Sequence, residues 1–544
     1  MSTAADQRTT LGDRVLTGVE RVGNKLPEPF ALFTILFLLT GVISTVMAWA
    51  DVTVTVPGAE DPVAVQGLFT GAGIAWFTTT LGENYIGFPP LLTVLPILLA
   101  IGIAEKSGFL SAAIRYSIGG APRWLLGYAV GFVGVVGSIL ADSAFVVIPP
   151  LAAMAFKAAG RHPMAGLIGG FAATGAGYST SIFPTSLDAL FAGITNSVIP
   201  TVPDLAARAQ EVSPVSNYWF NIVSAIMLSI IAGFVIDRVV EPRMIKTDVP
   251  RDQVQDQTQQ LDTVTRQQRI IGDEQSVTEA QEPKVEAHLR PVEKRALAWA
   301  TGTFLLLCAA FLVFALLPES PWRNEEGGFL PKSPLMSSIV FIIFTLFAVS
   351  GYVYGRVEGS IRGFKDVPVL MGQALKDMMS FLVLAFILGQ FIALFNWTGI
   401  GSWIAVTGAE GLENADMTGF PVILAFIVLC SLLNLFIISG SSMWTLMAAV
   451  FVPMFGILGF EPAFVQAAFR VGDSATQVMT PLNPYMVVLL AMVRKYEPGA
   501  GLGTVMARMV PFVVPFWVAW VLILGVFFFL DLPLGPGAGV MLGE

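Results

Sequence analysis

Ionisable and amide side chains are scarce inside the apolar stretches of this chain, and they gather around two matching segments. The first reads Gly177-Tyr178-Ser179-Thr180-Ser181-Ile182-Phe183-Pro184-Thr185-Ser186-Leu187-Asp188, and the second, far downstream, reads Gly472-Asp473-Ser474-Ala475-Thr476-Gln477-Val478-Met479-Thr480-Pro481-Leu482-Asn483. Gly, Ser, Thr and Leu recur at the same offsets, Ser181 is answered by Thr476, and Asp188 is answered by Asn483. Hydroxyls mixed with Gly and Pro break a helix and leave backbone groups free. Freed helix N-termini favour anions, and freed carbonyls favour cations. The ionisable residues at membrane depth are Asp142, Asp188, Arg470 and Asp473, and such residues mark function by default. The Arg470 guanidinium is a fork that can hold both oxygens of a carboxylate; its structural alternative is a pair with Asp473 one turn away. Asp188 suits a proton carrier or a partner for a substrate amine. Asp142 suits either a functional role or a helix N-cap. Asn434, Asp473 and Gln477 offer the oxygens that a hard cation such as Na⁺ prefers, and Trp444 offers a ring for stacking or for core packing.

These groups need a frame, and the composition says which kind. Of 544 residues 55% are hydrophobic and 13% charged, with a mean hydropathy of +0.72. Soluble domains carry about 25% charged residues, so the chain is a polytopic, all-α membrane protein. The net charge of −9 matters less than where the charges lie. Cys308 and Cys430 fall in apolar runs and read as small buried hydrophobes. His162 and His288 lie in polar connections, which argues against a histidine metal site or triad. No cleavable signal peptide is visible.

A spanning helix needs about 20 mostly apolar residues. Runs 30–49, 89–105, 215–237, 295–317, 335–354, 378–396 and 508–530 qualify. Runs 163–195 and 463–494 are spans broken by the matching segments. Runs 123–158 and 418–459 are longer and carry polar breaks at Asp142-Ser143 and at Ser439-Gly440-Ser441-Ser442. Lys and Arg placement sets direction. Arg8, Arg14, Arg21 and Lys25 precede the first run, whereas 50–105 has neither residue type, so the N-terminus is cytoplasmic. Lys106, Arg115 and Arg123 return the chain inside, and Lys157 and Arg161 lie on that same side. Run 123–158 is therefore a re-entrant hairpin entering from inside, and by the same logic 418–459 is one entering from outside. The expected layout is a cytoplasmic segment 1–29, a first membrane region 30–237, a polar cytoplasmic loop 238–294, scaffold helices 295–354, a second repeat 378–530 and an external tail 531–544. That gives nine transmembrane helices and two re-entrant hairpins in an inverted repeat, an architecture of secondary transporters with a midplane site.

The run Asn434-Leu435-Phe436 to Ser439, Ser441-x-x-Trp444, Phe451-Val452-Pro453-Met454-Phe455, Gln466-Ala467-Ala468-Phe469-Arg470, Asp473-Ser474-x-Thr476 and Thr480-Pro481-Leu482-x-Pro484-Tyr485 resembles the AbgT family of p-aminobenzoyl-glutamate transporters and antimetabolite exporters. Leu187-Asp188 with Ala192-Gly193-Ile194-Thr195 resembles its first-half motif. The similarity covers nearly all of the membrane region. It implies a homodimer driven by an ion gradient, substrate-pathway roles for Asp188, Ser441, Trp444, Pro462 and Arg470, and a sodium site on Asn434, Asp473 and Gln477. The sequence departs from the family pattern at Gln477, where Asn is usual, at Ala189, where Pro is usual, and in the extra polar loop 245–290.

The reading that follows is a multi-pass protein of the bacterial inner membrane that carries an aromatic amino-carboxylate, either p-aminobenzoyl-glutamate or a p-aminobenzoate-like antimetabolite such as a sulfonamide. Na⁺ or H⁺ is the coupling ion; no cofactor, catalytic residue or nucleic-acid partner is expected. A passive channel and an intramembrane enzyme are the alternatives, but neither requires an inverted repeat.

Overall fold

A computed structural model describes residues 27–59, 61–247, 249–251, 289–330 and 333–543. The N-terminal basic cluster, His288 and most of the polar loop lie outside the described residues. The described chain is helical nearly throughout, with one two-stranded antiparallel ribbon, β1 (Thr53–Val54) and β2 (Val63–Ala64). The first half comprises α1 (Pro29–Trp49), α2 (Gly71–Ile86), α3 (Pro89–Lys106), α4 (Phe109–Gly119), α5 (Leu126–Val136), α6 (Ser143–Ala158), α7 (Pro163–Ala176), α8 (Ser186–Val198), α9 (Pro203–Arg208), α10 (Tyr218–Val235) and α11 (Glu241–Lys246). The second comprises α12 (Pro291–Leu316), α13 (Pro334–Ser337), α14 (Ile339–Glu358), α15 (Val367–Asp377), α16 (Met379–Trp397), α17 (Ile400–Asn414), α18 (Phe420–Leu433), α19 (Gly440–Ile457), α20 (Pro462–Ala475), α21 (Pro484–Arg494) and α22 (Leu502–Phe529).

Among the described residues 9 helical stretches are long and apolar enough to cross a membrane. The unbroken runs expected from the sequence each coincide with one of them. The membership of the nine differs in one respect: Gly440–Ile457 qualifies by itself, whereas 163–195 is two helices, neither of them long enough alone. Helix α2 was not anticipated. Its Thr78-Thr79-Thr80 and Glu83-Asn84 dilute the apolar signal, yet the threonine hydroxyls return to carbonyls of their own helix at 2.8–2.9 Å, which hides their polarity. Asn84 is satisfied by Gln390 at 3.1 Å, and Trp76 stacks on Trp397 with centroids 4.8 Å apart.

Helices meet closely where side chains are small, as membrane packing favours. A Cβ added at Gly351 would lie 2.6 Å from the Ala104 Cα, and one at Gly193 would lie 2.6 Å from the Pro90 Cα. The turns Ser107-Gly108 and Thr398-Gly399, an echo already visible in the sequence, share one conformation. Both glycines are left-handed (φ 91° and 75°) and open α4 and α17.

Charge separates the two ends of the bundle. One end holds interhelical ion pairs: Lys106–Asp377 at 2.6 Å, Arg115–Glu293 at 2.7 Å and Arg290–Glu358 at 2.7 Å. There Arg161 bonds Asp237 at 2.6 Å, also bonds Glu241, and lies over the Phe156 ring at 4.3 Å. A π-helical turn, Ile236–Val240, carries α10 into α11 and so delivers both carboxylates to Arg161. Apart from the exposed Arg208–Asp204 pair, the opposite end is closed by neutral contacts. Thr201 bonds Asn396, Ser402 bonds the Thr201 carbonyl, and the tail is tied by Phe220 N–H to Leu534 O and Glu461 N–H to Val540 O. Segments assigned to the same side by Lys and Arg placement thus sit together.

Replacing one partner of a largely buried charge cluster leaves the others uncompensated, at a cost of about 3–5 kcal/mol. Arg161→Ala is therefore expected to lower the thermal unfolding midpoint of the purified protein clearly, whereas Arg208→Ala, at the exposed Arg208–Asp204 pair, is expected to leave it near wild type. A melt followed by intrinsic fluorescence checks both.

Candidate functional site

The two matching segments break their helices as their composition requires, and the breaks touch. Between α7 and α8 lie residues 177–185; between α20 and α21 lie 476–483, including a 3₁₀ turn Gln477–Met479. Helix α20 continues through Ser474-Ala475, so relative to the motif it ends a turn later than α7. The Ser179 N–H donates to Ser474 Oγ at 3.2 Å, which joins equivalent positions of the two copies. Groups freed at the breaks are met by neighbouring helix ends, as membrane depth demands. Ser138 Oγ donates to Thr180 O at 3.0 Å after α5, and Thr480 Oγ1 donates to Leu435 O at 2.8 Å after α18.

At this junction Arg470 and Asp188 form an ion pair, Nη2 to Oδ1, at 2.8 Å. They are 1% and 3% exposed. Arg470 thus pairs across the repeats, and Asp473 on its own helix is not its partner. Three further donors reach the Asp188 carboxylate: the Thr185 N–H and Thr185 hydroxyl, both at 2.7 Å, and Asn221 Nδ2 at 3.1 Å. Thr185 and Asp188 form a reciprocal capping box at the start of α8, so a helix-start signal also builds the anion. Arg470 Nη1 donates to Ser179 O at 2.8 Å, its carbon lies 5.1 Å over the Phe191 ring, and Nε has no partner.

A second cluster lies one turn along α20. Asp473 is fully buried with both carboxylate oxygens unpartnered, and so are Asn434 Oδ1 and Gln477 Oε1. The Asn434 amide points its nitrogen away, to Asp473 O and to Thr476 Oγ1. A Cβ on Gly440 would come 3.1 Å from Asp473 Oδ2, so the start of α19 faces the carboxylate. Orphaned buried oxygens of this kind are rare and need a cause. Their chemistry fits a hard cation.

Other expected site residues are placed differently. Trp444 is 0% exposed; Nε1 donates to Phe191 O and to Thr195 Oγ1, each at 3.2 Å, and the ring packs on Phe469 at 4.6 Å. Core packing therefore describes Trp444 here. Ser441 is half-buried in a hydroxyl cluster with Ser439 at 3.1 Å. Asp142 occupies the N-cap position of α6 but makes no cap bond; Tyr178 Oη lies 3.5 Å from it instead. Pro462 is buried at the first turn of α20, eight residues or about 12 Å along the helix from Arg470.

The profile of the AbgT putative transporter family matches residues 14–273 and 269–542. The chain belongs to the AbgT family. It is 32% identical over 538 residues to the p-aminobenzoyl-glutamate transport protein of Escherichia coli K12, covering 99% of each chain. Among solved structures it resembles the Alcanivorax borkumensis YdaH transporter, described as having an unusual topology, with a TM-score of 0.82, 33% identity, and coverage of 94% of this chain and 100% of that one. It also resembles Neisseria gonorrhoeae MtrF, described as illuminating a class of antimetabolite efflux pumps, with a TM-score of 0.84, 35% identity, and coverage of 96% and 100%. It is therefore a multi-pass membrane transporter and not an enzyme.

Several polar residues of this AbgT member were given no role in the sequence reading. Gln466 is hydrogen-bonded to Thr195 at 2.7 Å and to Asn217 at 2.9 Å, and Asn221 holds Asp188. Each is an amide inside an apolar run, a signal that could have found them. Ala189, where the family resemblance implies Pro, uses its N–H to bond Thr185 O at 3.3 Å, a bond Pro would lack.

Removing one partner of a buried pair costs about 3–5 kcal/mol, while replacing both is far milder. Asp188→Asn and Arg470→Gln are each expected to lower the unfolding midpoint, and the double variant to recover much of the loss. A double-mutant cycle on thermal unfolding measures the coupling.

Proposed function

We propose that this AbgT-family protein is a secondary transporter, driven by an ion gradient, for aromatic amino-carboxylates of the p-aminobenzoyl-glutamate type or for p-aminobenzoate-like antimetabolites such as sulfonamides. The observation that carries the reading is the buried Arg470–Asp188 pair at the contact of two broken helices. A structural ion pair gains little in an apolar interior, but an arginine held by a replaceable carboxylate is poised for exchange. A substrate carboxylate takes the place of Asp188 on the Arg470 fork, and Asp188 keeps Thr185 and Asn221 or accepts a proton. The p-aminobenzoyl-glutamate and antimetabolite relatives favour this substrate class. Trp444 reaches the ring of a substrate once α19 and α20 separate; Ser441 and Pro462 lie along the same route.

The orphaned oxygens of Asn434, Asp473 and Gln477 would hold Na⁺, which supplies the charge that offsets Asp473. Gln477 is one methylene longer than the Asn that the family resemblance implies there, so the geometry of the ion shell would differ from the family pattern. The inverted repeat, the re-entrant hairpins at 123–158 and 418–459, a cytoplasmic N-terminus in a bacterial inner membrane and a homodimer complete the proposal. The end-to-end charge separation and the Ser179–Ser474 contact between equivalent positions favour it.

The test is flux of labelled p-aminobenzoyl-glutamate and of a sulfonamide in proteoliposomes, with Na⁺ and pH gradients imposed separately. Flux that follows one gradient and stops when an ionophore collapses it is expected; flux indifferent to the ionophore would mean a channel. Arg470→Ala is expected to abolish substrate binding in a titration. Asn434→Ala and Asp473→Asn are expected to weaken Na⁺ dependence at least tenfold while leaving Arg470-dependent substrate binding measurable at high Na⁺.

A further inference from the structure

The end of α20 remote from the ion pairs carries a carboxylate that the transport site does not use. Glu461 precedes Pro462 and is 4% exposed. It stands at the N-cap position of α20 yet makes no cap bond. One contact reaches its carboxylate, the Gln210 N–H, and Oε2 has no partner. That oxygen is not sealed in apolar packing. Glu461 lines a cavity with Glu211, Ser213, Ser216 and the tail residues Pro536 and Gly537. The cavity walls are well fixed. Asn196 holds both the N–H and the carbonyl of Val212 at 2.8 Å, Ser213 and Ser216 share their hydroxyls at 3.2 Å, and the tail is pinned through Glu461 N–H to Val540 O at 3.0 Å and Leu542 N–H to Gly459 O at 2.8 Å.

We propose that Glu461 and this cavity form a proton-binding site at the end of α20 opposite the basic face, whose loading state sets how that end of the Arg470 helix is held. The inference rests on the transporter reading for its purpose, but not for its chemistry. A carboxylate with a bare oxygen, buried in a wall that offers it no cation, is stable when protonated. The surrounding charges agree. Among the described residues no basic side chain lines the cavity, and Glu211, from the connection before α10, is its other carboxylate. On α9, Arg208 is paired with Asp204 at 3.4 Å. Among the described residues the tail and α13 contribute Pro536, Gly537, Ala538 and Met336 and no titratable group to the wall. The N-terminus of α20 favours the anion, but by less than burial of an unpaired carboxylate costs. Burial accordingly pushes the Glu461 carboxyl up to about 7, against the weaker pull of the Gln210 N–H.

The sign of the resulting pH dependence is fixed. A carboxyl whose folded value is raised binds more protons folded than unfolded, so its contribution to stability is complete below the ordinary value and is lost as pH rises through the folded one. Thermal unfolding of the full chain in detergent, from about pH 5 to pH 8, reads this without any substrate. Glu461→Gln is expected to match wild type at the acid end, to exceed it at the alkaline end, and to lose the fall between them. Identical pH slopes in the two proteins would overturn the site. So would a Glu461-dependent stabilisation by Na⁺ at fixed pH, which would make it a metal-ion site. Should Glu461→Gln fail to fold, the protonated-carboxyl infrared band of wild type, labelled at glutamate, is expected to vanish near neutral pH, and a band already absent at acid pH would overturn the proposal. A protein with no flux but an intact Glu461-dependent slope would sink the transport reading and leave the proton site standing.

Discussion

The structure turns on one constraint: a charge inside a membrane must find its opposite there. Arg470 finds Asp188, and because the two residues belong to different halves, the pair ties those halves together at the level of their broken helices. The remaining machinery follows from it. Asp188 can serve as the anion because Thr185 caps α8 with the same carboxylate and Asn221 reaches in from α10. Arg470 can extend across because Ser179, in the opposite break, offers a free carbonyl. Irregular backbone, expensive in an apolar medium, is what makes both contacts available.

Much of this was legible in the sequence, for identifiable reasons. Apolar runs of membrane length reported themselves, and so did the matching polar segments, since helix-breaking composition is conspicuous against an apolar background. The glycines at 108 and 399 could be matched before their left-handed backbones were seen. The partner of Arg470 was not legible. Spacing on one helix suggested Asp473, but pairing across the repeats depends on how the helices cross, and periodicity carries no information about that. Helix α2 stayed hidden because its threonines look polar in sequence and are neutralised by their own backbone. Trp444, read as a stacking platform or a core residue, is a core residue in this conformation because Phe469 and Phe191 occupy its surroundings.

The two clusters near the breaks differ in kind. Both carboxylate oxygens of Asp188 are filled, whereas around Asp473 four oxygens from three residues are empty-handed. Family membership explains why such an arrangement is tolerated. A transporter must pass through states in which different partners complete the same shell, so a shell complete at all times would be a lock. In the proposed transport cycle the satisfied Asp188 would hold the resting form and the unsatisfied Asp473 would await its cation.

The hydrogen bond between Ser179 and Ser474 has a geometric consequence of its own. When two copies of a motif are related by a half-turn, a residue can touch its own counterpart only beside the rotation axis. Every other pair of counterparts is carried apart in proportion to its distance from that line. In the proposed inverted repeat the two serines would sit at the fulcrum: any rocking of one half against the other would sweep the helix ends through ångströms while this bond barely lengthens. That fulcrum would coincide with the buried Arg470–Asp188 pair, since Arg470 also reaches the Ser179 carbonyl.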